Sequence, residues 1–348
     1  MHMADALLSP AVGTTFWAAT IGAIGYASGK LKQHLDERMI PLMGVLGAFV
    51  FAGQMINFTI PGTGSSGHLG GGMLLAAVLG PQAALLAIAS VLTVQALFFA
   101  DGGLLALGCN IWNLGVYPAF IAYPFIYRPL AGSNPGNRRI LLASVVSAVA
   151  ALQMGAFSVV IQTLLSGRSD LPMGSFLLLM QPIHLAIGIV EGIVTAGVLG
   201  YLRGSRPEIL ESASSARYFD RGVSIKRTLA VLMVLALFTA GLLSWFASTR
   251  PDGLEWSIER ASHGMAAADS QEAASTLETL QEKTAILPDY GFRSSGENTA
   301  GEAAPSWPDM DPGRSTSGIT GSLIVLAIIV LIGMGIRAVR ARRPARDL

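Results

Sequence analysis

The first residues of the chain, Met1-His2-Met3-Ala4-Asp5, can chelate a metal because of where the histidine stands. A free terminal amine and the deprotonated amide nitrogen of His2 close a five-membered ring on a metal. The same amide and the His2 imidazole Nδ1 close a six-membered ring, so three nitrogens lie in one plane. Such tetragonal nitrogen sites suit Ni(II) or Cu(II), whereas Zn(II) favours tetrahedral ones. The N-terminus can therefore chelate a metal if Met1 is retained and deformylated, and the alternative is a histidine that stands at position 2 by chance.

A second candidate ligand lies in a glycine-rich loop, PGTGSSGHLGGG, at residues 61–72. His68 is its only strongly coordinating side chain, and half of the loop is glycine, which permits close approach to another backbone. A phosphate-binding loop is the alternative, but the G-K-[ST] ending of such loops is missing. If this loop lies on the same side of a membrane as His2, His68 supplies the fourth nitrogen of a square-planar site.

The composition predicts that these residues belong to an all-α polytopic membrane protein. Hydrophobic residues make up 52% of the 348 residues and charged residues 13%, against roughly 25% charged in soluble proteins. Nine apolar stretches are candidate spans, of which the third is short and the others reach the roughly 17 residues that a bilayer requires. They lie near 11–29, 39–60, 69–80, 82–99, 104–127, 139–166, 174–202, 228–248 and 319–338.

The placement of basic residues predicts how the chain is oriented. Lys and Arg accumulate in short cytoplasmic loops, and most of the 23 in this chain fall in segments that are cytoplasmic if the N-terminus is outside. No basic region precedes the first apolar stretch, so we expect that stretch to be retained rather than cleaved as a signal peptide. The prediction is a multi-pass protein of the bacterial cytoplasmic (inner) membrane. Its N-terminus and the 61–72 loop are outside, and its C-terminus is cytoplasmic.

The chain divides into two modules. Residues 1–202 carry seven closely spaced candidate spans, and residues 203–227, which are polar and contain Pro and Ser, are predicted to be a cytoplasmic linker. Residues 228–348 predict a helical hairpin whose two spans enclose an acidic extracytoplasmic segment, 249–318. Within that segment, residues 257–286 have a helical pattern.

Motifs in both modules resemble those of one transporter family. The start MHMADALLSP and the loop TGSSGHLGGG resemble the NikM/CbiM family, the substrate-binding (S) components of energy-coupling factor (ECF) transporters for nickel and cobalt, and this resemblance extends over residues 1–202. The second module is similar to the NikN-type partner, with PDGLEWS at 251–257, the pair Asp289-Tyr290, and SGITGSLIVLAI at the start of its second span. The whole chain therefore resembles a NikM–NikN fusion.

This resemblance implies a seven-helix S-component bundle with the two-helix hairpin added. It implies that the metal is held by the amine of Met1, the amide and imidazole of His2, and His68, with Ni(II) as substrate and Co(II) as the alternative. The family start is commonly M-H-I-P-D-G, so Met3, Ala4 and Ala6 depart from it in packing positions rather than in ligands.

The resemblance also implies partners, namely a transmembrane coupling subunit and separate ATP-binding subunits. The sequence contains no nucleotide-binding motif, so we expect a transporter subunit that is not an enzyme and binds no ATP. A net charge of +1 gives no indication of nucleic acid binding, and we expect membrane lipid to surround the spans.

Other polar residues in or near the spans are candidates for supporting roles, because such residues are costly in a membrane. His184 and Glu191 are seven residues apart and therefore lie on one helix face. They could form either a proton relay or a structural hydrogen-bonded pair. Four residues are candidates for hydrogen bonds that orient the metal ligands: Asp101, Gln54, Asn57 and Asn113.

A stripe of small residues, Gly44, Ala48 and Ala52, favours close helix contact, either with the coupling subunit or within the chain.

Two other functions are compatible with parts of the sequence. An intramembrane metallohydrolase using His184, Glu191 and Asp101 lacks an H-E-x-x-H pair. A proton-coupled secondary transporter of divalent cations, working through Glu191, would be favoured by repeats and paired discontinuous helices, and neither is clear here. We therefore predict an ECF-type S component for Ni(II) or Co(II).

Overall fold

The computed structural model of the protein describes residues 2–34, 36–167, 171–215, 224–262, 272–293 and 307–341. Met1 and parts of the segments 203–227 and 249–318 lie outside these ranges. Helices dominate the described residues because a long apolar run in hydrocarbon can satisfy its backbone groups only within itself. The architecture is that of an all-α membrane protein.

The helices of the first module coincide with its predicted apolar stretches. A 3-10 turn, Asp5–Leu7, precedes them. A π-helix, Trp112–Tyr127, contains Pro118 and Pro124. Because proline lacks an N–H and crowds the preceding turn, the wider π turn accommodates both. The helices are α1 Pro10–His34, α2 Met39–Gln54, α3 Gly72–Leu79, α4 Pro81–Phe99, α5 Leu107–Ile111, α6 Arg128–Ala131, α7 Asn137–Ser166 and α8 Met173–Ser205.

The glycine-rich loop forms a short antiparallel hairpin that leads into α3. Strand β1, Phe58–Thr59, pairs with β2, Ser66–Gly67. Gly71, which has φ 76°, precedes α3, and a Cβ there would clash with Val50. Helix α3 has 8 residues, about 12 Å at 1.5 Å per residue, so it spans less than half of a bilayer core about 30 Å thick. The short third stretch is therefore a half-length helix preceded by buried irregular backbone.

The hairpin of the second module packs against the first module. Its helices α10, Lys226–Gly241, and α13, Pro312–Ala341, both contact α2, and α13 also contacts α4. The small-residue stripe of α2 faces this hairpin: a Cβ on Gly44 would lie 3.0 Å from Val330, and Ala52 packs in one cluster with Ala236 and Ala240. Of the two roles that the sequence left open for the stripe, contact within the chain is the one that the fold uses.

The polar segments contain more helix than their composition suggested. The predicted linker includes α9, Pro207–Ser215, which folds because Ile209 is fully buried against the bundle. Between α10 and α13 the chain forms a 3-10 turn, Leu243–Phe246, then α11, Gly253–Ala261, and α12, Glu272–Thr284, and a second 3-10 turn, Pro288–Tyr290. The helix predicted over 257–286 corresponds to α11 and α12, and residues 263–271 between them lie outside the described ranges.

Four of the described helices, α4, α7, α8 and α13, are long and apolar enough to cross a membrane, and α2 is a shorter apolar helix. Large apolar side chains such as Phe157, Leu178 and Leu331 are exposed on their outer faces, where they would contact lipid. The protein is therefore a multi-pass membrane protein. The count of nine spans and the orientation stay predictions.

Candidate metal centre

The N-terminal segment is tied to α5 and to the loop that precedes it. The Met3 N–H donates to Oδ1 of Asn110 at 2.9 Å, and Asn110 Nδ2 donates to the Met3 carbonyl at 3.3 Å. The Gly103 N–H donates to the same carbonyl at 2.9 Å, and the Met3 side chain is fully buried. These bonds fix the residue directly after His2.

Asp5 anchors the same segment from the other end. Its buried carboxylate accepts the Ala106 N–H at 2.9 Å. Burial raises the pKa of Asp5, and backbone N–H groups of the loop partly oppose that shift. Gly103 must be glycine because a Cβ there would overlap the Asp5 carboxylate. Met3 and Asp5 together hold His2 against the α4–α5 loop.

His2 and His68 meet at this point. Their imidazole rings are stacked, with centroids 4.9 Å apart and planes inclined by 6°. His2 Nδ1 also lies 3.2 Å from Oδ1 of Asp101, in the loop after α4. The fold thus brings together three residues that the sequence singled out, and the fourth, Met1, lies outside the described residues.

The chemical state of His68 suits a metal ligand. Its Nδ1 lies 3.0 Å from the Leu69 carbonyl, and burial lowers the pKa of the imidazole to about 4. The ring is therefore neutral at pH 7. A neutral imidazole that donates its Nδ1–H to a carbonyl keeps a lone pair on Nε2, which leaves Nε2 free to bind a cation.

Asp101 is oriented by a residue of the second module. The Tyr290 hydroxyl donates to Oδ2 of Asp101 at 2.6 Å. Burial alone would raise the pKa of Asp101, but its contacts with His2 and Tyr290 hold it below its usual range. Burial raises the pKa of Tyr290 well above its usual value, so the phenol stays a donor. Two consecutive contacts, Tyr290 with Asp101 and Asp101 with His2, therefore link the second module to the first histidine.

The second module also holds the strand that leads to His68. The Ser66 N–H donates to the Pro251 carbonyl at 2.8 Å, and its hydroxyl donates to the Arg250 carbonyl at 2.8 Å. These carbonyls precede α11, whose first turn is closed by a capping box. Asp252 accepts the Glu255 N–H at 2.8 Å, and the Glu255 carboxylate accepts the Asp252 N–H at 3.1 Å.

Helix α12 holds the loop that carries Asp101. Gln281 Nε2 donates to the carbonyls of Ala96, at 2.9 Å, and Gly102, at 2.6 Å. The second module therefore contacts the backbone beside both histidines.

A cavity of about 460 Å³ opens beside the two histidines and is lined by both modules. Acidic side chains outnumber basic ones around it, and most of the acidic ones come from the second module. Its charged lining consists of Asp5, Asp101, Asp252, Glu255, Glu278, Asp289, Arg250 and Arg314.

The remaining predicted residues are distributed unevenly around this cavity. Gln54 and Asn57 line it, and Gln54 Nε2 donates to the Gly70 carbonyl at 2.8 Å. Asn113 is not among the residues that line it, because its amide exchanges hydrogen bonds of 2.9 and 3.1 Å with Gln162 on α7.

His184 and Glu191 each have a separate partner. His184 Nδ1 lies 2.8 Å from the Met180 carbonyl, one turn earlier on α8. Glu191 accepts the Gly70 N–H at 2.7 Å.

No role was predicted for Asn110 or Gln281, although both hold the backbone around His2. Tyr290 entered only as part of a motif. No local pattern could have identified them, because their partners are more than a hundred residues away in the chain. Within the described ranges, no group of three or more His, Cys, Asp or Glu side chains is arranged to hold a metal ion.

Comparisons with known proteins assign both modules. Residues 2–209 match the family described as the cobalt uptake substrate-specific transmembrane region, and residues 226–338 match the PDGLE domain. A putative fused nickel transport protein NikMN of Archaeoglobus fulgidus is 30% identical over 94% of this chain and 96% of its own length. The fused nickel transport protein NikMN of Rhodobacter capsulatus is 33% identical over 68% of this chain and 71% of its own length.

A solved structure described as a transition metal transporter is also similar. It is 32% identical in sequence and superposes with a TM-score of 0.52. The superposition covers 62% of this chain and 98% of the chain in that structure.

Proposed function

We propose a function for this chain from the family to which it belongs, the cobalt uptake substrate-specific transmembrane family, joined here to a PDGLE domain. In this proposal the chain is the substrate-specific component of an ATP-driven ECF-type transporter. Its substrate is Ni(II), with Co(II) as the alternative. The observation that supports this best is the stacking of His2 on His68, with centroids 4.9 Å apart, beside an acidic cavity. The relatives are named nickel and cobalt transport proteins, which favours transport over enzymatic chemistry.

Four nitrogens bind the metal in this proposal: the Met1 amine, the His2 amide nitrogen, His2 Nδ1 and His68 Nε2. A planar set of nitrogen donors suits Ni(II). His2 Nδ1 lies 3.2 Å from Asp101, so metal binding exchanges this contact for a coordination bond. The carboxylate of Asp101 then stays beside the bound cation and compensates part of its charge.

The second module takes part in loading. Asp252, Glu255, Glu278 and Asp289 come from it and line the cavity, and a cleft lined by one sign of charge raises the local concentration of the opposite ion. Hydrated cations therefore collect beside the two histidines before they bind.

Transport requires partners that supply energy, namely a transmembrane coupling subunit and ATP-binding subunits. The stripe on α2 cannot dock them because the hairpin covers it. Helix α1 has an open small-residue face instead: in the part of the chain that the structure describes, no atom would lie within 4 Å of a Cβ added at Gly22, Gly25 or Gly29. Small residues let helices approach closely, so we place the coupling subunit on this face of α1.

The N-terminal chelate is tested by adding one residue before Met1 in the purified full chain. Because the amine then leaves the chelate ring, high-affinity Ni(II) binding and the d–d absorption of a planar four-nitrogen complex should both be lost. His68→Ala should weaken binding and shift the band to longer wavelength, as water replaces a nitrogen. Unchanged nickel binding in the extended chain would refute this set of ligands.

Reconstitution separates the proposed mechanism from proton-coupled transport. In proteoliposomes, nickel uptake should require ATP and both kinds of partner subunit. Uptake by this chain alone, driven by a proton gradient and lost in Glu191→Gln, would support a secondary transporter instead.

A further inference from the structure

Glu191 lies in the middle of a membrane-spanning helix and yet contacts the metal-binding loop. It is the nineteenth of the 33 residues of α8, about 27 Å from the start of that helix at 1.5 Å per residue. It is 3% exposed. An ionisable side chain at such a depth is costly and needs a partner, and here the partner is backbone rather than His184.

That backbone includes the peptide group between Leu69 and Gly70, and the N–H groups of Gly71 and Met73 also face the carboxylate. The N–H of the Leu69–Gly70 peptide group donates to Oε2 of Glu191 at 2.7 Å, and its carbonyl oxygen lies 3.0 Å from Nδ1 of His68. Because a peptide group is planar, its two ends cannot turn independently. The position of the Glu191 carboxylate therefore sets the direction of the carbonyl that receives His68 Nδ1–H.

The next peptide group, between Gly70 and Gly71, is held by two glutamines. Gln54 Nε2 donates to the Gly70 carbonyl at 2.8 Å, and Gln95 Nε2 donates to Oε1 of Gln54 at 3.0 Å. A Cβ on Gly70 would lie 3.0 Å from Oε2 of Glu191 and 3.2 Å from Leu114, so a larger residue would require one of these side chains to move.

We propose that Glu191 is a positioning residue for His68, acting through the Leu69–Gly70 peptide. By fixing the carbonyl that accepts Nδ1–H, it holds the imidazole in the tautomer that presents Nε2 to the metal. Partners of this kind commonly orient metal-binding histidines through their second nitrogen, and here a peptide group relays the effect. This inference rests on the proposed role of His68 as a ligand.

Two substitutions separate the reach of the side chain from its charge. Glu191→Gln keeps an oxygen at the same distance and removes the charge, whereas Glu191→Asp keeps the charge and shortens the side chain by one methylene. Thr195→Val is the matched control, because Thr195 is also buried, one turn further along α8, and its hydroxyl has no hydrogen-bond partner among the described residues.

The experiment measures Ni(II) affinity and visible absorption of each purified full-length variant, with His68→Ala for reference. We expect Glu191→Gln and Thr195→Val to stay within about threefold of the unmodified chain, a change of under 1 kcal/mol. Glu191→Asp should weaken binding at least tenfold, with the band shifted toward that of His68→Ala. Combining Glu191→Asp with His68→Ala should cause no loss beyond that of His68→Ala.

The opposite pattern would overturn the proposal: if Glu191→Gln weakened nickel binding and Glu191→Asp did not, the role would depend on the charge of the side chain. Additive losses with an unshifted band would reduce Glu191 to packing, and wild-type behaviour of both variants would remove it from the site. If the unmodified chain and His68→Ala bind nickel equally, the proposed ligand set fails instead.

Discussion

Replacing Asn110 by Leu should weaken nickel binding by detaching the N-terminal segment while leaving every ligand in the sequence. Asn110 accepts the Met3 N–H at 2.9 Å and donates to the Met3 carbonyl at 3.3 Å. Leucine has a similar shape and can do neither. The Met3 carbonyl keeps its bond from Gly103, but the Met3 N–H is left buried without a partner.

The magnitude follows from these two bonds. A buried donor without a partner costs about 1–3 kcal/mol, and a lost neutral hydrogen bond about 1 kcal/mol. Together they destabilise the docked segment by about 2–4 kcal/mol. Because His2 can bind metal together with His68 only when this segment is docked, the loss corresponds to roughly 30- to 700-fold weaker affinity at 1.4 kcal/mol for each factor of ten.

Asn113 provides a matched control. It is the same residue type three positions later and fully buried, but it bonds to Gln162. Asn113→Leu should lower the melting temperature and leave nickel affinity within about threefold of the unmodified chain. Affinity is measured by competition with a chromophoric chelator on the purified full chain. If Asn110→Leu also stays within threefold, or if both variants lose affinity equally, docking of the N-terminus does not control the site.

Three further outcomes are expected. Nickel displaces one proton from the Met1 amine, a group whose pKa is about 7.7–8.0, and one from the His2 amide. Nickel affinity should therefore fall about a hundredfold per pH unit between pH 7 and 6. Release of fewer than one proton per nickel in unbuffered titrations would contradict this. Asp252→Ala removes the cap of α11, worth about 1 kcal/mol, and should lower the melting temperature. It should also weaken nickel binding severalfold, because the neighbouring Pro251 carbonyl holds Ser66. Unchanged melting and nickel-titration curves would contradict this coupling between α11 and the site. Gly25→Leu should leave nickel binding intact and abolish copurification with the coupling subunit, and a stable complex would exclude the α1 face.

Much of the fold was predictable from local sequence. Uninterrupted apolar stretches gave the helices of both modules, since hydrophobicity and backbone satisfaction in a membrane are properties of neighbouring residues. The linker was predicted less well: α9 is polar in composition, and it is the burial of Ile209 against another part of the chain that stabilises it.

The candidate ligands were also predictable, because chelation by His2 depends on covalent geometry and His68 is the only strong ligand in its loop. Their supports were not. The sequence grouped Asn113 with the site and paired Glu191 with His184, whereas the fold bonds Asn113 to Gln162 and Glu191 to Gly70. Asn110 and Asn113 are chemically identical, and only helix packing decides which of them reaches the N-terminus.

The sequence by itself therefore determined the class of protein, its modules and the chemistry that its first residues can perform. The tertiary structure decided which groups hold that chemistry in place: Asn110 on Met3, Tyr290 on Asp101, and Glu191 on the peptide beside His68. Hydrophobic pattern and chelate geometry are local properties of a chain. Hydrogen-bond partners more than a hundred residues apart exist only after the helices have packed.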